Sequence, residues 1–145
     1  MIEALTGVAV GVLTIVFARV IRGQHWVYSI GLLTLPSLYA SFALAAGDQA
    51  VAVREMIYGI PFLVAGLLFA TVSVRQSAIL VGALWILHGL YDLIHSRLIT
   101  NAGVPGWYPL WCFSVDVVIG VYLLWLSRRI ANANLREAQV AALIK

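Results

Sequence analysis

Apolar residues fill long unbroken blocks of this chain, separated by short polar or turn-forming stretches, and nowhere alternate with polar ones over a strand's length. A helix that crosses hydrocarbon needs about 17–25 such residues, at about 1.5 Å each. Five segments meet that requirement: residues 4–20, 26–46, 56–74, 77–98 and 107–126. Without water to satisfy the backbone, each must form a helix. A barrel strand is excluded, because it would alternate and would be far shorter. The pattern therefore predicts an all-α bundle of five transmembrane helices in one domain, followed by a short cytoplasmic helix over 128–145. The fourth segment is the weakest: its apolar core, Ala78 to Leu87, gives way to a run carrying His88, Asp92 and His95. Four helices are the alternative.

Punctuation agrees with this division. The sequence Asn101 to Pro109 (NAGVPGWYP) reads as a tight loop between the last two helices. Pro36 and Pro61 fall inside the second and third helices, where they remove a backbone donor. Gly7 and Gly11 form a GxxxG on the first helix, which suits a close helix contact within the bundle or in a homo-oligomer. The first segment has neither a basic leader nor a convincing cleavage site, so it is expected to remain as a helix.

Composition narrows the class. Hydrophobic residues make up 63% of the 145 and charged residues 10%, against about 25% charged in a soluble domain. The bilayer is the solvent that suits such a chain. A net charge of +3 would suggest nucleic acid in a soluble protein; here the basic residues stand at helix ends and report orientation instead. Arg19, Arg22, Arg75, Arg128, Arg129, Arg136 and Lys145 fall on one side, and Arg54 and Arg97 on the other. That imbalance places the N-terminus outside and the C-terminus in the cytoplasm, as expected of a multi-pass bacterial inner or plasma membrane protein. The single cysteine, Cys112, rules out an internal disulfide and any Cys-x-x-Cys motif.

Ionisable residues inside hydrocarbon are costly and become functional candidates by default. The run WILHGLYDLIH puts His88, Asp92 and His95 within roughly 60° of one helix face. The fifth helix adds Asp116, four residues after Cys112, at a depth that matches His88 near the middle of the bilayer. Glu3, Asp48 and Glu55 fall toward the outer edge, so the expected picture is a polar pocket that opens outward. Two imidazoles and two carboxylates can hold a divalent metal, zinc first among candidates, with His88, Asp92, His95 and Asp116 as ligands. The same groups can do acid–base work without a metal, carried by His88, Asp92 and Asp116. Either chemistry would act on a lipid-like or isoprenoid molecule. The competing reading is a hydrogen-bond network that fastens two helices of a non-catalytic binding, transport or subunit protein. Cys112 reads as an inert buried thiol, and Glu55 as an anchor that could reach the pocket.

The stretch from Trp85 to about Leu124 resembles a family of small bacterial and fungal integral membrane proteins that carries a domain-of-unknown-function label. The residues concerned are His88, Gly89, Tyr91, Asp92 and His95, then Pro105, Trp107, Tyr108, Pro109, Cys112 and Asp116. The resemblance implies a membrane bundle and brings no established activity. A looser similarity links the His and Asp residues to membrane hydrolases of the ceramidase and progestin-receptor-like type, which use intramembrane zinc. Those have seven helices and more histidines. CAAX-processing-type proteases rely on paired glutamates, for which only Arg54–Glu55 stands here.

Overall fold

A computed structural model describes residues 1–143, and for His25, Arg75, Gln76 and Ala138 the backbone alone. The Arg75 and Lys145 charges counted above thus lie outside the described side chains. The chain folds as five helices: α1 (Ile2–Val20), α2 (Gln24–Ala45), α3 (Gln49–Phe69), α4 (Val74–Leu98) and α5 (Tyr108–Leu143). All five are long and apolar enough to cross a membrane. The α2–α3 turn and the α4–α5 loop lie at one end of the bundle, with the start of α1. The α1–α2 and α3–α4 turns lie at the other.

Two elements differ from the hydropathy reading. Helix α3 begins at Gln49, seven residues before the expected start at Met56. Gly47 adopts a left-handed φ of 80° to close α2, and the Asp48 carboxylate then caps α3 by accepting from the Val51 amide at 2.9 Å. The turn is so short that Arg54 and Glu55 lie inside the helix rather than before it. The buried face of α3 is Ala52, Glu55, Gly59, Phe62 and Gly66, a helical stripe into which Glu55 fits as a core position. Helix α5 runs on without a break for 36 residues, where a span ending near Leu126 and a separate tail helix were expected. No glycine or proline interrupts it after Gly120. At about 1.5 Å per residue it is far longer than a bilayer is thick, so its C-terminal part extends beyond the span.

Small residues set the packing. A Cβ at Gly7 would strike the Trp111 carbonyl, and one at Gly11 would lie 2.9 Å from Val118 Cβ, so the GxxxG of α1 is spent on α5 within the chain. A Cβ at Gly120 would meet Ile86 at 2.7 Å, and one at Gly82 would lie 3.1 Å from the Gly120 carbonyl. These glycines let α4 and α5 approach closely, which brings the polar residues of the two helices together. Trp85 is buried against Gly31 and donates its indole N–H to the Tyr28 carbonyl at 3.1 Å. Below it, Leu32, Val81, Ile119 and Leu123 form an apolar core.

Candidate functional site

The buried stripe of α4 continues from Val81 and Trp85 through His88, Asp92 and His95, so the three polar side chains occupy positions that the helical period directs inward. On α5 the corresponding stripe is Cys112, Asp116, Ile119 and Leu123. A Cβ built on Gly89 would lie 3.2 Å from Asp116 Cβ, and that close approach lets the two polar rows meet. The outcome is two linked clusters.

The first holds His88, Asp92, Cys112 and Asp116, one donor atom from each lying within 4.8 Å of all the others. None is more than 2% exposed. His88 Nδ1 lies 2.7 Å from Asp116 Oδ2 and 3.7 Å from Asp92 Oδ2. The Tyr39 hydroxyl of α2 donates to Asp92 Oδ1 at 2.8 Å, and the Phe62 ring of α3 meets the His88 imidazole edge to face at 4.9 Å. Asp92 Oδ2, Asp116 Oδ1 and the Tyr108 hydroxyl are buried with no hydrogen-bond partner among the described residues.

His95 departs from the expected ligand set. Its Nε2 lies 2.8 Å from Glu55 Oε1, which also accepts from Asn101 Nδ2 at 2.9 Å. The Tyr91 hydroxyl donates to Glu55 Oε2 at 3.3 Å. His95 thus belongs to a second cluster with Glu55, Tyr91 and Asn101, and Cys112 takes its place beside His88, Asp92 and Asp116. The reason is axial. Three residues beyond Asp92, His95 sits about 4.5 Å farther along α4, level with Glu55 once α3 starts at Gln49. Tyr39 joins the clusters: its hydroxyl binds Asp92 and its ring stacks on the His95 imidazole at 4.0 Å.

Two carboxylates, an imidazole and a thiol in one dry volume present a charge problem. Every arginine whose side chain is described is exposed, so none neutralises the pair. Compensation must come from a cation or from protons held among these groups. The cluster adjoins a cleft at Asp92. Asp92 and His95, with Asn101, form the polar wall of a cleft of about 450 Å³ between the end of α4, the 99–107 loop and the start of α5. Leu93, Pro109 and Leu110 give the cleft an apolar wall.

Of these residues, Cys112 was visible in sequence as sharing a face with Asp116, Glu55 was visible only as a possible extra ligand, and Tyr39 and Asn101 carried no signal. No protein-family model matches the chain, and neither a curated protein nor a solved structure shows a significant match to it.

Proposed function

We propose that this chain is a multi-pass membrane protein that binds a divalent cation, zinc before others, on His88, Asp92, Cys112 and Asp116, and uses it on a lipid-like substrate. The observation that carries the reading is the convergence of four buried donors within 4.8 Å, two of whose carboxylate oxygens have no hydrogen-bond partner among the described residues. An orphaned buried polar atom ordinarily costs about 1–3 kcal/mol, and a bound cation would satisfy both. A thiolate and an imidazole beside two carboxylates suit zinc better than magnesium or calcium, which take oxygen alone. Such a cation would polarise a substrate oxygen or lower the pKa of a bound water. Asp92 is the donor that also lines the cleft, so substrate would reach the centre there, with His88 and Asp116 behind it.

A second reading is favoured by the His88–Asp116 and Tyr39–Asp92 hydrogen bonds, which already fasten helices without a metal. Elemental analysis of detergent-purified protein separates the two. The metal reading expects about one zinc per chain, lost in Asp116→Asn and Cys112→Ala while circular dichroism is unchanged. Wild-type protein without stoichiometric metal would leave the network reading in its place.

The same proposal orients the bundle with the cleft outward, because among the described basic side chains Arg19, Arg22, Arg128, Arg129 and Arg136 lie toward the opposite end, against Arg54 and Arg97 at the cleft end. Reporter fusions at Ser73 and at the C-terminus should be cytoplasmic and one at Gly103 external. A cytoplasmic Gly103 reporter would invert the arrangement.

A further inference from the structure

The cleft beside the first cluster has a chemistry of its own. One wall is polar, from Asp92, His95 and Asn101, and the other apolar, from Leu93, Pro109 and Leu110. Leu93 and Leu110 are also half-exposed on the outer surface of the bundle, so the apolar wall continues onto the face that meets lipid. A molecule that fills this space has a polar head against α4 and the loop, and a hydrocarbon tail that leaves sideways between α4 and α5.

The sign of the charge limits the head. No lysine or arginine lines the cleft among the described residues. Glu55 and His95 engage one another at 2.8 Å. Without a metal, the protons that His88, Asp92 and Asp116 share leave no net positive charge there. With a divalent cation, two carboxylates and a cysteine thiolate still leave one net negative charge at the centre. In neither state does a net positive charge meet the cleft, so a phosphate or carboxylate head finds no counter-charge in a medium that screens poorly. The hydrogen-bonding pattern points the same way. Asn101 Nδ2 is committed to the Tyr39 carbonyl and Glu55, and its Oδ1 accepts from the Gly103 amide. Asp92 Oδ2, by contrast, is a buried acceptor without a donor among the described residues.

We infer that the cleft takes a single-chain amphiphile whose head is a hydrogen-bond donor and not an anion, a long-chain alcohol or amine, with the head at Asp92. This deepens the metal-centre reading and rests on it for the reaction that follows binding, though not for the sign of the charge.

The test uses three photoreactive amphiphiles of one chain length, ending in a hydroxyl, an amine or a phosphate, each with a diazirine next to the head. Full-length protein in neutral-lipid vesicles is labelled and the adducts are mapped by mass spectrometry. Alcohol and amine should label the peptides carrying His95 and Asn101 at least about tenfold more than the phosphate, a difference of about 1.4 kcal/mol. Thr100→Trp, at an exposed position on the cleft rim, should reduce that labelling to background. Asp92→Asn should weaken the amine more than the alcohol. Equal labelling by all three heads, or labelling that persists in Thr100→Trp, overturns the inference. Zinc is measured on the same samples. Zinc-loaded protein that shows no head-group selectivity would contradict this inference alone, and selective labelling of zinc-free protein would contradict the metal reading alone.

Discussion

Replacing His88 with leucine is expected to destabilise the bundle by about 3–5 kcal/mol, the range for removing one member of a buried charged group. His88 is 1% exposed and stands between two carboxylates, 2.7 Å from Asp116 and 3.7 Å from Asp92. No described arginine can take its place. Leucine would fill a similar volume but leave both carboxylates facing each other in an apolar surround, with one fewer donor for a cation. The prediction becomes specific through the double variant. His88→Leu/Asp116→Leu removes the pair together and leaves Asp92 with its Tyr39 hydrogen bond, so most of the lost stability should return, since apolar replacement of a whole buried pair is often near neutral. Unfolding in mixed micelles of increasing denaturing-detergent fraction measures both. A single variant that loses less than about 1 kcal/mol, or a double variant no better than the single, would mean that His88 and Asp116 are not energetically coupled.

The second large effect is expected at Glu55. Its carboxylate accepts from His95, Asn101 and Tyr91, and so ties α3 to α4 and to the loop before α5. Few other polar ties join these halves among the described residues: Tyr39 to Asp92, Asn101 to the Tyr39 carbonyl, Trp85 to the Tyr28 carbonyl and Tyr122 to Gln24 cross the same boundary from α2. Glu55→Leu strips His95 and Tyr91 of their acceptor and leaves Asn101 with the Tyr39 carbonyl alone. With about 1–3 kcal/mol for each orphaned buried group, and some relief from water entering through the cleft, a loss of about 3 kcal/mol is expected. Glu55→Gln keeps the shape and one acceptor, and should cost about half as much. The loop should also open, so limited proteolysis within residues 99–107 should accelerate in Glu55→Leu well before global unfolding. Wild-type stability and cleavage rate in Glu55→Leu would show the second cluster to be incidental.

Much of this arrangement is legible in the sequence, and the failures have physical causes. Periodicity alone placed His88, Asp92 and His95 on one face, and depth alone set Asp116 against His88, because both follow from the fixed rise and turn of a helix. Angular agreement could not say which of the three share a neighbour. That depended on the height of Glu55, and Glu55 was misplaced because hydropathy begins a helix where charge ends. The Asp48 cap and the left-handed Gly47 begin α3 before the charges instead. The same rule shortened α5: a drop in hydropathy after Leu126 marks a change of solvent and leaves the backbone free to remain helical. Cys112 shared a face with Asp116 in plain view, but a lone thiol in an apolar run is ordinarily inert, and only the close packing of α4 on α5 puts it among the donors. Tyr39 has no sequence signature at all. It is one aromatic residue in an apolar helix until the fold lays its ring on His95 and its hydroxyl on Asp92.

We propose that His88, Asp92, Cys112 and Asp116 hold one metal ion. X-ray absorption at the zinc edge, on purified full-length protein loaded with one equivalent of zinc and washed, addresses it most directly. The account predicts a retained four-coordinate site with one sulfur neighbour at about 2.3 Å and nitrogen or oxygen neighbours at about 2.0–2.2 Å, the sulfur vanishing in Cys112→Ser. Zinc that washes away, or a spectrum of oxygen neighbours alone in the wild type, would contradict it.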